Sequence, residues 1–380
     1  MDRRDVISLI QYFDNGDEEF LWSSSNDSDS GSEAEIFGAV SEALCLAKGR
    51  NDPNNFLAKI VPNLSEEEFI INFRVSRALV LKLSKKFLKS EQYSTLRVPQ
   101  YVDTAISPDK HILTFLWFAG HNHPFRCMAD KFKMSLSSLH EVVSRVQAFL
   151  VSMADKEISW PSKDERHEIM RHFEDDKGIP RVVGAVGKTH IMISKPSVES
   201  SLYLHAKDFY SVVIEAVCDH NWKFRHVNVS HSGSCYPQFE EYKNLPNGTF
   251  LVGDRSYANS DHVITPFLDN GHLNEAQLLF NSCMDKYVVH IEDAFTVLKQ
   301  RFMHLNHVKL RGFERISQFV KALCVLHNMA DVEDLRLFAD KSATVNLQPP
   351  PTSVGNVISG HLRNEICKIT FEKFSQSQHR

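Results

Sequence analysis

Near residue 180 the hydrophobic pattern of the chain changes from a helical to an extended period. β-Branched runs separated by short turns predict three strands in a meander, over residues 181–193, 208–219 and 223–233. The run TFLVGD (249–254) predicts a fourth strand that ends on an acid. Helical spacing then returns, which predicts a helix over 286–305 and another from Ser317. The expected fold is therefore α/β, a mixed sheet flanked by helices.

Upstream of this change the pattern predicts an all-α region over residues 60–155. Ser65 and Glu68 have the spacing of a capping box, and Ser107–Pro108 is typical of a helix start. FRCMADKF, a short KMS turn and SLSSLHEVVSRV together predict a helix-turn-helix. Helix pairs with short turns are nevertheless common in any helical domain. The second helix of this pair is also not an obvious reader of DNA, because its charges include an acid as well as a base.

The segments around these two regions differ from them in composition. Residues 1–40 hold ten acids and two bases, and residues 22–34 are rich in serines and acids, which predicts an acidic, disordered tail over 1–55. The stretch Phe173–Gly178 is acidic and is predicted to be a loop. A sheet domain is expected over 175–335, followed by a C-terminal tail over 336–380.

Composition also limits the class of protein. The longest apolar stretch, 112–119, is far shorter than the ~20 residues that span a bilayer. The seven cysteines form no CxxC pair, which indicates reduced thiols inside a cell. Residues 61–150 carry 12 bases and 8 acids, a weak electrostatic footprint for nucleic acid. We expect an intracellular protein with no membrane partner.

Several strings of the sequence, taken together and in order, resemble the PIF/Harbinger transposase family and its domesticated nuclease-like relatives in the DDE superfamily. The strings are TFLWFAG, FRCMADKFKMSLSSLHEVVSRV, GAVGKTHI, FYSVVIEAVCDHNWKF, FLVGDRSYANSDHVITPF, IEDAFTVLKQRF and CVLHN. They extend from about Ile106 to Val332. The resemblance implies a ribonuclease-H-like fold behind an N-terminal helical region with a helix-turn-helix.

The resemblance also implies a reaction and a set of ligands. Such enzymes cut DNA with three carboxylates that hold two divalent metal ions, Mg²⁺ or Mn²⁺. Magnesium requires hard oxygen ligands, which carboxylates supply. By resemblance Asp254, in FLVGDRSY, is the second acid and Glu292, in HIEDAFTVLK, is the third. Both are therefore candidate catalytic and metal-binding residues.

The first acid of the family pattern is missing from this chain. GAVGKTHI places Gly187 where the aspartate belongs, and glycine supplies no ligand. Lys188 follows, but on a strand it points to the opposite face from Gly187. Glu215, on the next strand, is a candidate replacement for the lost acid. A solvated or salt-bridged strand glutamate is the alternative interpretation of Glu215, and Asp293 is expected to face away from the site.

Other family positions have changed as well. Pro237, Val288 and Met284 stand where the resemblance implies an acid, a basic residue and a histidine. The segments that resemble the strands and helices of the family are retained, while polar positions at the edge of the site have changed. A group of histidines on the predicted hairpin has neither cysteines nor matched spacing, which favours surface or core roles over a zinc site: His205, His220, His226 and His231.

Three functions are compatible with this pattern. The first is a domesticated Harbinger-transposase-like nuclear protein that no longer cuts DNA efficiently and acts by binding DNA or a protein, with a Myb/SANT-type nuclear protein as the partner that the resemblance implies. The second is an active divalent-metal-dependent endonuclease that uses Asp254, Glu292 and a non-standard acid. The third is a decaying transposase copy. The resemblance implies a location in the nucleus, with the cytoplasm as a second possibility.

Overall fold

A five-stranded mixed sheet forms the centre of the protein in this computed structural model, which describes residues 56–57, 61–94, 106–205, 208–231, 245–246, 248–339 and 360–378. The strands, in chain order, are β1 (Val182–Met192), β2 (Ser211–Cys218), β3 (Phe224–His231), β4 (Phe250–Val252) and β5 (Val263–Ile264). Their order across the sheet is β3-β2-β1-β4-β5. The first three strands are antiparallel, whereas β4 and β5 run parallel to β1. This arrangement is the ribonuclease-H-like mixed sheet that the sequence predicts.

Twelve α-helices lie in the described ranges. Seven lie in the N-terminal helical region: α1 (Glu66–Phe73), α2 (Arg77–Leu88), α3 (Glu91–Ser94), α4 (Pro108–Gly120), α5 (Phe125–Phe132), α6 (Leu136–Val151) and α7 (Ala154–Glu157). Five lie beside or after the strands: α8 (Lys163–Lys177), α9 (Glu275–Arg301), α10 (Phe313–Asn328), α11 (Val332–Ala339) and α12 (His361–Gln378). None of these helices is long and apolar enough to cross a membrane.

Local sequence signals account for several of the helix ends. Ser65 and Glu68 form the predicted capping box at the start of α1, and Ser107 caps α4 with Pro108 in its first turn. The helix pair α5 and α6 is joined by a short turn, where Lys133 adopts a left-handed conformation (φ 48°) and Ser135 caps α6. The local chemistry of these ends is therefore readable from the sequence.

The prediction of an acidic loop over Phe173–Gly178 is wrong. Residues up to Lys177 belong to α8, and Gly178 ends the helix in the left-handed region (φ 91°). Only Ile169 and Phe173 of this helix are buried, so its remaining surface is polar and carries the acids outward. An apolar stripe is the sequence signal that predicts a helix of this kind, and α8 has almost none.

Three parts of the structure extend what the sequence predicts, and two predictions lie outside the described residues. Helix α9 begins eleven residues before the predicted start at 286, and the two-residue strand β5 adds a fifth strand to the sheet. Helix α12 lies within the predicted C-terminal tail and packs against α9. The predicted acidic tail over 1–55 and the turn containing Pro237 are not described.

A buried arginine joins the N-terminal helices to the helix that covers the sheet. Arg301, the last residue of α9, has no exposed surface. Its Nε and Nη2 donate hydrogen bonds to the carbonyl oxygen of Arg74 at 3.1 and 2.8 Å. Arg74 Nη2 in turn donates to the carbonyl oxygen of Gly120, the last residue of α4, at 2.9 Å. Because these groups are buried, each bond replaces hydration that the groups have lost.

We expect Arg301→Leu to lower the free energy of unfolding by roughly 2–4 kcal/mol, since a buried carbonyl oxygen would lose two charged donors. Urea denaturation followed by circular dichroism measures this change. Arg336→Leu is the matched control, because Arg336 and Glu333 form an exposed pair on α11. We expect the control to cost no more than about 0.5 kcal/mol. Equal losses in the two variants would contradict this account of the junction.

Candidate active site

The three positions that the resemblance identifies lie together where β1, β4 and α9 meet. Strands β1 and β4 run parallel with Ala185 opposite Val252, so Gly187 and Asp254 each lie two residues further along neighbouring chain segments. Helix α9 covers this part of the sheet. A Cβ atom built on Gly187 would lie 2.9 Å from Ile291 Cγ2, and Glu292 is the next residue of α9.

Asp254 is fixed at the end of β4 by its own turn. Its Oδ1 accepts hydrogen bonds from the backbone nitrogen and the hydroxyl of Ser256, at 2.8 and 2.5 Å. This is an Asx turn, in which a short acidic side chain satisfies backbone donors just after a strand. Both bonds use Oδ1, so Oδ2 is the oxygen that can meet a cation.

Glu292 lies half-buried on α9, while its neighbour Asp293 is exposed. Consecutive residues of a helix are ~100° apart, so the two carboxylates cannot serve the same point. Desolvation raises the pKa of Asp293 above its ordinary value, and Lys177 on α8 opposes this effect. Lys177 of α8 is therefore among the charged neighbours of Asp293.

At Gly187 the structure provides neither a ligand nor an open space for one. The Cγ1 and Cγ2 atoms of Ile291 lie at 3.0 and 2.9 Å from the position of an added Cβ, which is closer than ordinary van der Waals contact. Ile291 is branched at Cβ and has little rotamer freedom in a helix, so it cannot easily move aside. Any larger residue at 187 requires a shift of α9 or of Ile291.

The opposite face of the sheet carries a separate charged cluster. Lys188 pairs with Glu215 across β1 and β2, and Lys188 Nζ lies 3.7 Å from Glu215 Oε1. Lys188 Nζ also lies 4.8 Å from the centre of the Tyr257 ring. Burial raises the pKa of Tyr257, and the carboxylates of Glu215 and Asp254 raise it further. Glu215 thus forms an ion pair with Lys188, and the register places the two side chains on the face of the sheet opposite Gly187 and α9.

One cation on the face of the candidate site was missed by the sequence reasoning. Lys299 Nζ donates hydrogen bonds to Thr189 Oγ1 at 2.7 Å and to the His190 carbonyl oxygen at 2.9 Å. Thr189 follows Gly187 by two residues and so lies on the same face of β1. Burial lowers the pKa of Lys299 from 10.5 to about 8. Lys299 follows Glu292 by seven residues, or two helical turns. This spacing in the sequence places both side chains on one side of α9.

These donors do not fit the two-metal arrangement that the resemblance implies. In a two-metal site one carboxylate bridges both ions, and the corresponding position is Gly187. Asp254 and Glu292 supply hard oxygen atoms that suit a single Mg²⁺ or Mn²⁺ ion. Glu215 is the carboxylate that the sequence offers as a replacement for the first acid. It forms an ion pair with Lys188 on the other face of the sheet. We therefore derive no catalytic step through a metal pair.

Residues 186–328 match a family model described as DDE superfamily endonuclease. The chain is 27% identical over 274 residues to "Putative nuclease HARBI1" of Rattus norvegicus, an alignment that covers 68% of this chain and 77% of the relative. The Homo sapiens protein of the same name is 26% identical over the same length and coverage. "Protein ALP1-like" of Arabidopsis thaliana is 26% identical over 245 residues, covering 57% of this chain and 59% of the relative. No solved structure matches significantly.

The fold and the family match define the class: this chain carries a DDE superfamily endonuclease domain on a ribonuclease-H-like sheet. The matched segment contains Gly187, Asp254 and Glu292. Within that class the chain is homologous to HARBI1 and ALP1, domesticated nucleases derived from Harbinger transposases. The resemblance that the sequence strings indicate is thereby confirmed.

We expect the stability difference between the wild type and Lys299→Met to depend on pH. The pKa of Lys299 is about 8 in the folded chain and 10.5 ordinarily, so between these values the folded state binds fewer protons than the unfolded state. Wild-type stability should therefore rise relative to the variant from about pH 8 to pH 10.5. Urea denaturation of both proteins at pH 7, 8.5 and 9.5 measures the difference.

The matched control is Lys82→Met, because Lys82 is exposed on α2. Its difference from the wild type should stay constant over the same pH range. A constant difference for Lys299→Met as well would show that the Lys299 ammonium is not desolvated in the folded protein.

Proposed function

We propose that this chain is a Harbinger-transposase-derived protein that retains the DDE fold as a binding scaffold and no longer cleaves DNA efficiently. The observation that carries the proposal is the contact between Gly187 and Ile291, since the position of the first acid has neither a carboxylate nor the space for one. Asp254 and Glu292 remain, but two carboxylates cannot replace the shared ligand of a metal pair.

The absence of a carboxylate at position 187 is expected to lower the rate of DNA cleavage strongly. Each ~1.4 kcal/mol of lost transition-state stabilisation lowers a rate tenfold, and removal of a catalytic carboxylate costs several such steps. Glu215 is an unsuitable replacement, because turning it toward α9 would break a buried pair and leave the Lys188 ammonium without its carboxylate. Efficient cleavage therefore needs changes at more than one position.

We propose a nuclear protein, of the Myb/SANT type that the resemblance implies, as the binding partner. The exposed side of α6 favours a protein partner over DNA, because Arg145 on that helix forms an ion pair with Glu141. This ion pair competes with the binding of a phosphate. The first turn of α6 presents Leu136 and Ser137, which are exposed and uncharged. DNA recognition normally places cations on such a surface. The acidic residues at the start of the chain would also repel phosphate.

An active endonuclease is the second candidate function. Asp254 and Glu292 are both present at the same edge of the sheet, and they could hold one divalent ion. The family match is itself to an endonuclease domain. The two functions differ in a single observable, cleavage of duplex DNA that depends on Asp254.

We expect purified wild-type protein not to nick supercoiled plasmid DNA in Mg²⁺ or Mn²⁺. The double variant Gly187→Asp with Ile291→Ala should gain nicking, because the first change restores the acid and the second makes room for it. Gly187→Asp alone should gain less and should also be less stable, since its Cβ would contact Ile291. Gel electrophoresis of the plasmid products measures the gain.

The matched control is Gly187→Asn with Ile291→Ala, which fills the same volume without a carboxylate and should remain inactive. Adding Asp254→Ala to the active double variant should abolish its nicking. Wild-type nicking that disappears in Asp254→Ala would overturn the proposal and favour the endonuclease.

We expect the full chain to bind duplex DNA only in the non-specific range of about 10⁻⁴–10⁻⁶ M at physiological salt. Fluorescence anisotropy with a labelled duplex at 50 and 200 mM salt measures both the affinity and its salt dependence. A purified Myb/SANT-domain protein from the same genome should bind more tightly than the duplex. Tight, sequence-dependent DNA binding with no Myb/SANT binding would contradict the choice of partner.

A further inference from the structure

A second group of potential metal ligands lies between α8 and the turn that joins β2 to β3. Glu168 and His172 are one helical turn apart on α8, and His220 is in the turn after β2. One ligand atom from each of the three residues lies within 4.8 Å of the other two. The distance from His172 Nε2 to Glu168 Oε1 is 3.9 Å. The rings of His172 and His220 are nearly parallel, with centres 4.4 Å apart.

The surroundings of His220 fit a metal-ligating imidazole. Its Nε2 lies 2.9 Å from Asn221 Nδ2, whereas its Nδ1 is buried and has no hydrogen-bond partner within the described part of the chain. Metal-bound histidines commonly have one ring nitrogen on the ion and the other held by a neighbouring polar group. With Nδ1 on an ion, Nε2 carries the ring proton, and the Asn221 amide would present its oxygen to it.

The donor set selects a class of metal. Two imidazoles and one carboxylate are typical ligands of Zn²⁺, which binds them at ~2.0–2.2 Å and leaves a fourth position for water. Mg²⁺ and Ca²⁺ prefer sets made of oxygen atoms. Tetrahedral Zn²⁺ would hold neighbouring donors about 3.3 Å apart, which follows from the usual bond lengths. The present 3.9 Å between His172 and Glu168 is thus within reach of a small side-chain rotation, which the exposure of both residues permits.

We propose that Glu168, His172 and His220 form a Zn²⁺ site that joins α8 to the β2–β3 turn. The site is separate from Asp254 and Glu292 in position and in ligand chemistry, and it does not depend on whether the chain cleaves DNA.

The β2–β3 turn also contacts the helix of the candidate active site. His290, which precedes Ile291 on α9, has its Nε2 2.9 Å from the carbonyl oxygen of Asp219. The carboxylate of Asp219 holds the turn itself through the backbone nitrogens of Asn221 and Lys223, at 2.8 and 3.1 Å. A metal ion on His220 would therefore stabilise a turn that also positions α9 close to Glu292.

The test is metal binding by the full-length protein after treatment with a chelator. Isothermal titration with Zn²⁺ should give one equivalent at this site, and the melting temperature should rise with Zn²⁺ but not with the same concentration of Mg²⁺. Co²⁺ in place of Zn²⁺ should give visible absorption without the near-ultraviolet band of thiolate ligands. His172→Ala, His220→Ala and Glu168→Gln should each weaken Zn²⁺ binding at least tenfold.

His167→Ala is the matched control, because His167 is an exposed histidine next to Glu168 on the same helix. It should bind Zn²⁺ as the wild type does. Because Glu168 and His172 are exposed, their variants test the site even if His220→Ala does not fold. Wild-type affinity in both exposed variants, a thiolate spectrum with Co²⁺, or no stoichiometric Zn²⁺ binding by the wild type would each overturn the proposal.

Discussion

The packing of α9 against β1 determines the properties of most of this molecule. The 27-residue helix lies against the strand that is central in the sheet, and Ile291 packs directly over Gly187. The same helix provides Glu292 for the candidate site, Lys299 for the contact with Thr189, and Arg301 for the junction with the N-terminal helices. A helix can approach a strand this closely only where the strand residue has no side chain. Gly187, where the resemblance implies an acid, thus allows close packing of α9.

The two faces of β1 have different physical roles, and this separates the fold from the chemistry. Lys188, Glu215 and Tyr257 form a buried charged cluster on one face, where loss of one partner would leave an uncompensated charge. Gly187 and Thr189 lie on the other face, under α9. The side chains of the charged cluster and the position at 187 therefore lie on opposite faces of the strand. The strands and helices of the DDE domain therefore depend on neighbours of β1 other than the residue at 187.

The sequence predicts the sheet and the positions of Asp254 and Glu292 because these depend on strong local signals. Strands β1 to β3 are rich in β-branched residues, β4 is a short apolar run, and each acid lies within a recognisable string. Helix α8 was missed because only Ile169 and Phe173 are buried, and two apolar residues do not define a stripe. The cluster of Glu168, His172 and His220 was missed for the same reason, since its first two members become neighbours only on a helix. The contact between Ile291 and Gly187 depends on the distance between two elements, which no local pattern contains.

The junction at Arg301 has a consequence for any ligand that contacts both regions of the protein. Arg301 has no exposed surface, and its guanidinium donates to the carbonyl oxygen of Arg74. The side chain of Arg74 in turn donates to the end of α4. A junction of buried, directional hydrogen bonds does not act as a hinge, because bending it would leave charged donors unpaired in a dry interior. The surface of α6 and the edge of the sheet at Asp254 are then held at a fixed spacing. A partner that contacts both surfaces would therefore need two contact points separated by that same distance.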